Sequence, residues 1–170
     1  GPGMVIRAEP VLDCVDAILK KISQREARSK VKGQRSKVKV ILLGPHGVMF
    51  NTAYAKTATK KYTDIIIVCG RYEGIDARIK KVFKMVDVSV GPWVTTGGEL
   101  PALVMIDVIA RQVEGVLGKF ESREEARISS SEVYTRPEVL IHKNKKYKVP
   151  KVLLSGNHKE INIWRMEKNN

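Results

Sequence analysis

The strongest constraint on the fold is a series of short β-branched segments, each closed by a glycine-bearing turn and followed by a stretch with helical spacing. Three such strands are predicted, at Val38 to Leu43, Asp64 to Val68 and Val86 to Val90. Helices are predicted to fill Asn51 to Lys61, Ile75 to Lys81 and Glu99 to Gln112. Strands that alternate with helices pack as a parallel sheet, so the pattern predicts an α/β domain.

Two further segments flank this pattern. A helix is predicted from about Glu9 to Gln24, because apolar residues recur at helical spacing behind Pro10, a residue favoured in the first turn. The stretch from Lys20 to Lys39 carries nine basic residues and one acidic residue, and we expect it to be a solvated, mobile connection that either improves solubility or faces RNA. A basic tail is expected from His142 to Lys151.

The charge balance favours a polyanionic partner. Thirty-one lysines and arginines against 18 acidic residues give a net charge of +13, although a generally lysine-rich surface or an anionic membrane surface would fit as well. The apolar runs are far shorter than the roughly 20 residues that span a bilayer, so no membrane crossing is expected. Cys14 and Cys69 are predicted to be reduced, buried thiols, and without a secretory signal at Gly1 a cytoplasmic location is the expectation.

Three glycine-rich loops follow the predicted strands, at residues 44–47, 70–74 and 91–101. Ligands of open parallel sheets bind where the strands end, and glycine lets backbone groups approach a ligand closely. The three loops together could therefore hold a nucleoside through backbone contacts. The dinucleotide fingerprint, the phosphate-binding loop and the histidine or cysteine spacings of zinc sites do not occur in the sequence, so no metal site is predicted.

Five motifs occur in a fixed order along the chain: VCGRYEGID at 68–76, TGGELPA at 96–102, GVLG at 115–118, YTRPEV at 134–139 and LLSGNH at 153–158. With these motifs the chain resembles the bacterial tRNA (guanine-N1)-methyltransferase family, TrmD, of the SPOUT class. The resemblance extends from Gly1 to about Arg165.

The resemblance implies an α/β fold of SPOUT type, with a parallel sheet and a C-terminal deep trefoil knot, which is an exception to the rule that chains avoid knots. It implies a homodimer in which each cofactor pocket lies beside the partner chain. It also implies S-adenosyl-L-methionine as the cofactor and tRNA as the substrate, methylated at N1 of the guanosine 3′ of the anticodon (position 37); a need for Mg²⁺ stays open. The motifs carry the cofactor-binding role to Pro45, Gly70, Tyr72, Glu73, Val90, Gly91, Trp93, Thr95, Gly97, Gly98 and Pro101.

Two residues are candidates for the chemical step. Guanine N1 loses a weakly acidic proton while negative charge develops towards O6, so a cation near O6 and a base near N1 are the minimum requirement. Arg111 matches the catalytic arginine of the family. The base is less certain: an ungapped count puts Ala126 at the place of the family's aspartate, and a shift of one residue puts Glu125 there, with Glu124 and no base at all as the alternatives.

By this resemblance the chain divides into a knotted cofactor-binding domain at 1–118, a flexible linker at 119–133 and the start of a C-terminal region at 134–170. The first strand of the family with its following segment, and most of the C-terminal helical domain, are expected to be missing. An alternative function is therefore a basic RNA-binding module that keeps a cofactor pocket but lacks a complete catalytic site. Methyl transfer to tRNA would distinguish the two functions.

Overall fold

The fold is known from a computed structural model, which describes residues 3–29, 35–117 and 130–168. The chain forms two compact units, Gly1–Val116 and Leu117–Asn170. None of the helices in these described ranges is both long and apolar enough to cross a membrane.

The first unit contains a three-stranded parallel sheet with helices on both faces. Its order is β2-β1-β3, with β1 in the centre, and the Cα register runs from Val38 opposite Asp64 on one side and from Ile41 opposite Val86 on the other. The predicted parallel α/β sheet is therefore confirmed. The elements are α1 (Ala8–Arg28), β1 (Val38–Met49), α2 (Thr52–Lys61), β2 (Asp64–Val68), α3 (Arg78–Phe83), β3 (Val86–Ser89) and α4 (Glu99–Ala110).

Alternation along the central strand divides the core into two layers. Ile41 and Leu43 belong to a cluster that includes Ala55 of α2 and Met105 of α4. Val40, which points to the opposite face, belongs to a second cluster with α1. Because β1 is apolar on both faces, it is buried between helices, as strands of parallel sheets are.

Helix α1 is longer than the sequence predicts. It continues to Arg28, and the Arg25 guanidinium donates to both carboxylate oxygens of Asp64 at 2.7 and 2.9 Å. The Glu26 carboxylate accepts a hydrogen bond from the backbone N–H of Ser36 at 3.2 Å. The expectation of a mobile connection from residue 20 is therefore wrong for 20–28, because these contacts hold the basic end of the helix against the sheet; residues 30–34 lie outside the described ranges.

Strand β1 also extends past its predicted end at Leu43. Both Leu43 and Val48 pair with Val88, so the register shifts between them and the intervening residues bulge out of the strand. A Cβ on Gly47 would overlap the backbone of β3 at Asp87 and Val88, so glycine allows this close approach. The first glycine loop is therefore a bulge within the central strand.

Cys14 differs from the prediction as well. It is exposed, because the apolar stripe that α1 turns towards the sheet is formed by neighbouring positions such as Val15 and Ile18. Cys69 is partly buried at the end of β2.

The second unit begins with an antiparallel hairpin of β4 (Val139–His142) and β5 (Lys145–Lys148), followed by the helices α5 (Lys151–Leu154) and α6 (His158–Glu167). Lys143 and Asn144 form the turn with φ of 46° and 61°. Left-handed backbone at both positions is typical of a type I′ hairpin turn. The prediction of an irregular basic tail is therefore wrong over these residues.

Candidate functional site

The three glycine loops surround one cavity of about 400 Å³ at the carboxyl end of the sheet. This volume lies in the range of small-molecule pockets. The cavity is lined by these predicted cofactor-binding residues: Pro45, Gly70, Tyr72, Glu73, Val90, Trp93, Thr95, Gly97, Gly98 and Pro101. The structure thus brings together residues that are up to 56 positions apart in the chain (101 − 45).

Gly91 is the one predicted cofactor-binding residue that does not line the cavity. It is buried behind Trp93, and a Cβ on Gly91 would overlap the indole ring. Its carbonyl accepts a hydrogen bond from the Ser89 hydroxyl at 2.8 Å. Gly91 therefore shapes the third loop and lets the Trp93 ring lie against the backbone.

The second and third loops are joined at the start of α4. The Gly98 N–H donates to the Gly70 carbonyl at 3.0 Å, and Arg71 forms an isolated antiparallel bridge with Gly97. The backbone of Gly98 lies so close to Cys69 that an added Cβ would be 2.7 Å from its Cα. This contact fixes the spacing of two cavity walls.

An ion pair strengthens the same joint. Arg71 Nε lies 2.9 Å from Glu99 Oε1, and both side chains are half-exposed. A hydrogen bond from its own backbone N–H and the ion pair with Arg71 lower the pKa of Glu99, which sits in the first turn of α4, where negative charge is favoured. Burial beneath this joint, together with the nearby Glu99 carboxylate, raises the pKa of the Cys69 thiol.

The N-terminal segment supports the second loop, a feature that sequence reasoning missed. The Glu73 N–H donates to the Met4 carbonyl at 3.1 Å, and Ile6 exchanges backbone hydrogen bonds with Gly74 and Asp76 at 2.9 and 3.0 Å. Between these bonds Tyr72 adopts a left-handed conformation with φ of 59°, which is uncommon for a large side chain. The flanking hydrogen bonds hold this conformation and leave the Tyr72 ring exposed at the cavity.

Two charged residues of the cavity wall were also not predicted. Lys80 Nζ lies 2.5 Å from Asp87 Oδ2. The other carboxylate oxygen of Asp87 is buried and has no hydrogen-bond partner among the described residues. A single acidic residue within a buried β-branched strand is a signal that could have drawn attention to this position.

The predicted catalytic residues lie elsewhere. Arg111 follows the last turn of α4, is partly buried and does not belong to the cavity lining. At 1.5 Å per helical residue, its backbone is about 15 Å from that of Pro101, which does line the cavity. Glu125 and Glu124 lie outside the described residues. The structure therefore does not bring a candidate base to the cavity.

The chemistry of the site is that of a binding pocket made largely of backbone and small residues. In the described ranges, no group of three or more histidine, cysteine, aspartate or glutamate side chains is arranged to hold a metal ion. Exposed aromatic rings at Tyr72 and Trp93, and carboxylates at Glu73 and Asp87, are available to a flat, positively charged small molecule.

Comparison with known proteins agrees with the motifs. The family model described as tRNA (Guanine-1)-methyltransferase TrmD matches residues 1–170. Proteins named tRNA (guanine-N(1)-)-methyltransferase are similar over nearly the whole chain. The one from Geobacter metallireducens is 41% identical over 99% of this chain and 63% of its own length. Those from Desulforamulus reducens and Aliivibrio fischeri are 38% and 43% identical over 97% and 98% of the chain. The chain spans about three-fifths of the length of these curated relatives, 60% to 63%.

Proposed function

We propose that this chain, which belongs to the tRNA (guanine-1)-methyltransferase TrmD family, binds S-adenosyl-L-methionine and transfers its methyl group to N1 of guanosine 37 in tRNA. One observation carries the proposal: every residue to which the family motifs assign cofactor binding, except Gly91, lines the same cavity. Such convergence of three separate loops is expected of a ligand site on a parallel sheet.

The residues of the cavity fit this cofactor. When bound, S-adenosyl-L-methionine supplies a methyl group that is already reactive because it is attached to a sulfonium. The pocket needs space and backbone partners for a nucleoside, and Gly97 and Gly98 provide both on one wall. Glu73 and Asp87 offer negative charge to a cationic ligand, and the exposed rings of Tyr72 and Trp93 offer flat apolar surfaces. No metal ion is required by this arrangement.

In this function, the protein aligns the acceptor and manages its proton and charge. We assign to Arg111 the stabilisation of negative charge on guanine O6 as the N1 proton leaves. Glu125 is the candidate that accepts this proton. Both roles follow from the family motifs, and the chemistry of guanine explains why a cation and a carboxylate are needed.

A homodimer is part of the proposal, and the surface of α4 supports it. The helix is apolar on all sides, as helices buried in a core usually are, yet one of its surfaces is open to solvent. The exposed residues of this apolar surface are Leu100, Leu103, Val104 and Ile106. A second copy packed here by two-fold symmetry would cover it, and it would bring other side chains near a cavity that Arg111 of the same chain does not line.

The finer aspects of the fold and setting complete the proposal. We assign the described α/β sheet to a SPOUT-type fold with a trefoil knot at the end of the first unit, on the strength of the family match. The cytoplasm is the proposed location, because the tRNA substrate is found there.

Two measurements on the purified chain test the proposal. Titration calorimetry should detect binding of S-adenosyl-L-methionine without added metal, and a radiolabelled methyl group should pass to an unmodified tRNA transcript with guanosine at position 37. If a folded chain shows no binding at millimolar cofactor, the pocket assignment is wrong. Cofactor and RNA binding without methyl transfer would instead support the RNA-binding module.

A further inference from the structure

The hairpin of the second unit is a concentrated basic surface. We call residues 139–148 the basic hairpin; it contains His142, Lys143, Lys145, Lys146 and Lys148. The sequence has no acidic residue between Glu138 and Glu160 to balance this charge. Ion pairs of the described part of the second unit occur elsewhere, as between Lys168 and Glu132 at 3.0 Å.

The register of the hairpin distributes this charge over both faces. Residues directly opposite each other lie on the same face, so Tyr147 shares a face with Leu140 and with the pair of His142 and Lys145. Lys146 and Lys148 lie on the other face, about 7 Å apart along the strand. Lys143 occupies the turn. A polyanion that meets the hairpin from the tip or from either face would therefore contact lysines.

Both faces are also open. All four residues of β5 are exposed, and so are the last three of β4. The exposed set includes large apolar side chains, with Tyr147 at 53% and Leu140 at 56% of their full exposure. A two-stranded hairpin is only marginally stable in water, so an isolated, solvated hairpin of this composition gains little from the rest of the fold.

Basic side chains placed around an exposed aromatic ring are typical of surfaces that bind nucleic acid. Lysines contact phosphates without regard to sequence, and an aromatic ring can stack on an unpaired base. An anionic lipid surface would attract the same charge, but a tyrosine held on a rigid strand offers more to a base than to a headgroup. The composition therefore favours RNA.

We propose that the basic hairpin is an RNA-contacting element, in which Lys145, Lys146 and Lys148 contact phosphates and the Tyr147 ring stacks on a base. That the RNA is tRNA rests on the proposed function, whereas the preference for a polyanion rests on the hairpin alone. The contacts position the RNA and are independent of its sequence.

The test compares two triple variants with the same change in charge. Lys145→Gln, Lys146→Gln and Lys148→Gln are made together in the hairpin, and Lys20→Gln, Lys21→Gln and Lys56→Gln are made together on exposed positions of α1 and α2. Filter binding of a tRNA transcript is measured over a salt series. Each lost phosphate contact should lower the slope of log K against log salt by about 0.7–0.9, so the hairpin variant should lose about 2–3 of the slope.

The expected result is an affinity about tenfold weaker in the hairpin variant near physiological salt, with much less change in the control variant. A third variant with arginine at the same three hairpin positions should bind as the unchanged chain does, which separates charge from folding. Equal losses in the hairpin and control variants would overturn the proposal, because the charge would then act only generally. Hairpin-dependent binding to phosphatidylserine vesicles without an effect on tRNA would overturn it as well.

The outcome is distinguishable from failure of the proposed function, because binding and methyl transfer are measured separately. If the chain transfers no methyl group but the hairpin variant still loses tRNA affinity, the hairpin contact stands and the enzymatic assignment fails. If methyl transfer occurs and the hairpin variant binds normally, the opposite holds.

Discussion

Substitution of Gly98 by alanine isolates the contribution of one close backbone contact to the cavity. Gly98 has φ of −79° and ψ of −7°, a conformation that alanine adopts without strain. Space is the obstacle: a Cβ would lie 2.7 Å from the Cα and 2.9 Å from the Cβ of Cys69, and 3.2 Å from the nitrogen of Gly70. Two of these three atoms are backbone, so no side-chain rotation can relieve the overlap.

The magnitude follows from two opposing effects. Overpacking of this kind costs about 1–3 kcal/mol, and the lower entropy of an unfolded chain with alanine returns about 0.4–1 kcal/mol. The free energy of unfolding should therefore fall by about 1–2 kcal/mol. At about 2–4 °C per kcal/mol for a chain of this size, Tm should fall by about 2–8 °C. Because the overlap pushes apart two cavity walls, binding of S-adenosyl-L-methionine should weaken too.

Gly44 provides the matched control in the same cavity. A Cβ on Gly44 meets no atom within 4 Å, and its φ lies outside the left-handed region. Gly44→Ala should therefore leave Tm unchanged or raise it slightly. Thermal unfolding followed by circular dichroism, with a calorimetric cofactor titration of each variant, gives the comparison. Equal Tm and equal affinity in the two variants would refute the reasoning, since the close contact at Gly98 would then carry no cost.

Three further predictions concern charge, assembly and catalysis. Hydrogen bonds from the Arg78 side chain and backbone lower the pKa of Asp76 from its ordinary 3.8 to about 2, so its stabilisation is present above about pH 4 and lost as pH falls through about 2; Asp76→Asn should flatten this part of a urea-unfolding pH series, and the exposed acid Asp13→Asn should not. Leu103→Glu places a charge on the apolar surface of α4 and should convert a dimer of about 38 kDa, twice 19.0 kDa, into a monomer by light scattering, whereas a dimer that persists would exclude this surface as the interface. Arg111→Ala should lower the rate of methyl transfer by at least about 100-fold with little change in cofactor affinity, and equal losses in both would remove its role at guanine O6.

The sheet could be predicted from the sequence because its strands carry strong local signals. Val38 to Leu43 and Asp64 to Val68 are apolar and β-branched, and strands buried on both faces keep this composition throughout. The position of the cavity followed from topology, since parallel strands bring their carboxyl ends to one edge. The eleven-residue loop at 91–101 was recognisable as part of it from its glycines.

Other features depend on contacts between distant parts of the chain, and no local pattern reports them. The pairing of Arg25 with Asp64 joins residues 39 positions apart, and it keeps α1 helical over a stretch whose charge suggests a solvated loop. The bulge in β1 exists because Gly47 meets the backbone of β3. The hairpin turn uses Lys143 in a left-handed conformation, where glycine or asparagine is the usual signal. The role of Arg111 came from the family motif alone.

The position of the transferred methyl group tests the central claim most directly. A tRNA transcript with guanosine at position 37 is incubated with the chain and S-adenosyl-L-methionine, digested to nucleosides and analysed by mass spectrometry, beside a transcript with adenosine at that position. We predict 1-methylguanosine from the first transcript and no methylated nucleoside from the second. Methylation of another guanine atom or of another position, or no methylation by a folded chain that binds both the cofactor and tRNA, would contradict the account.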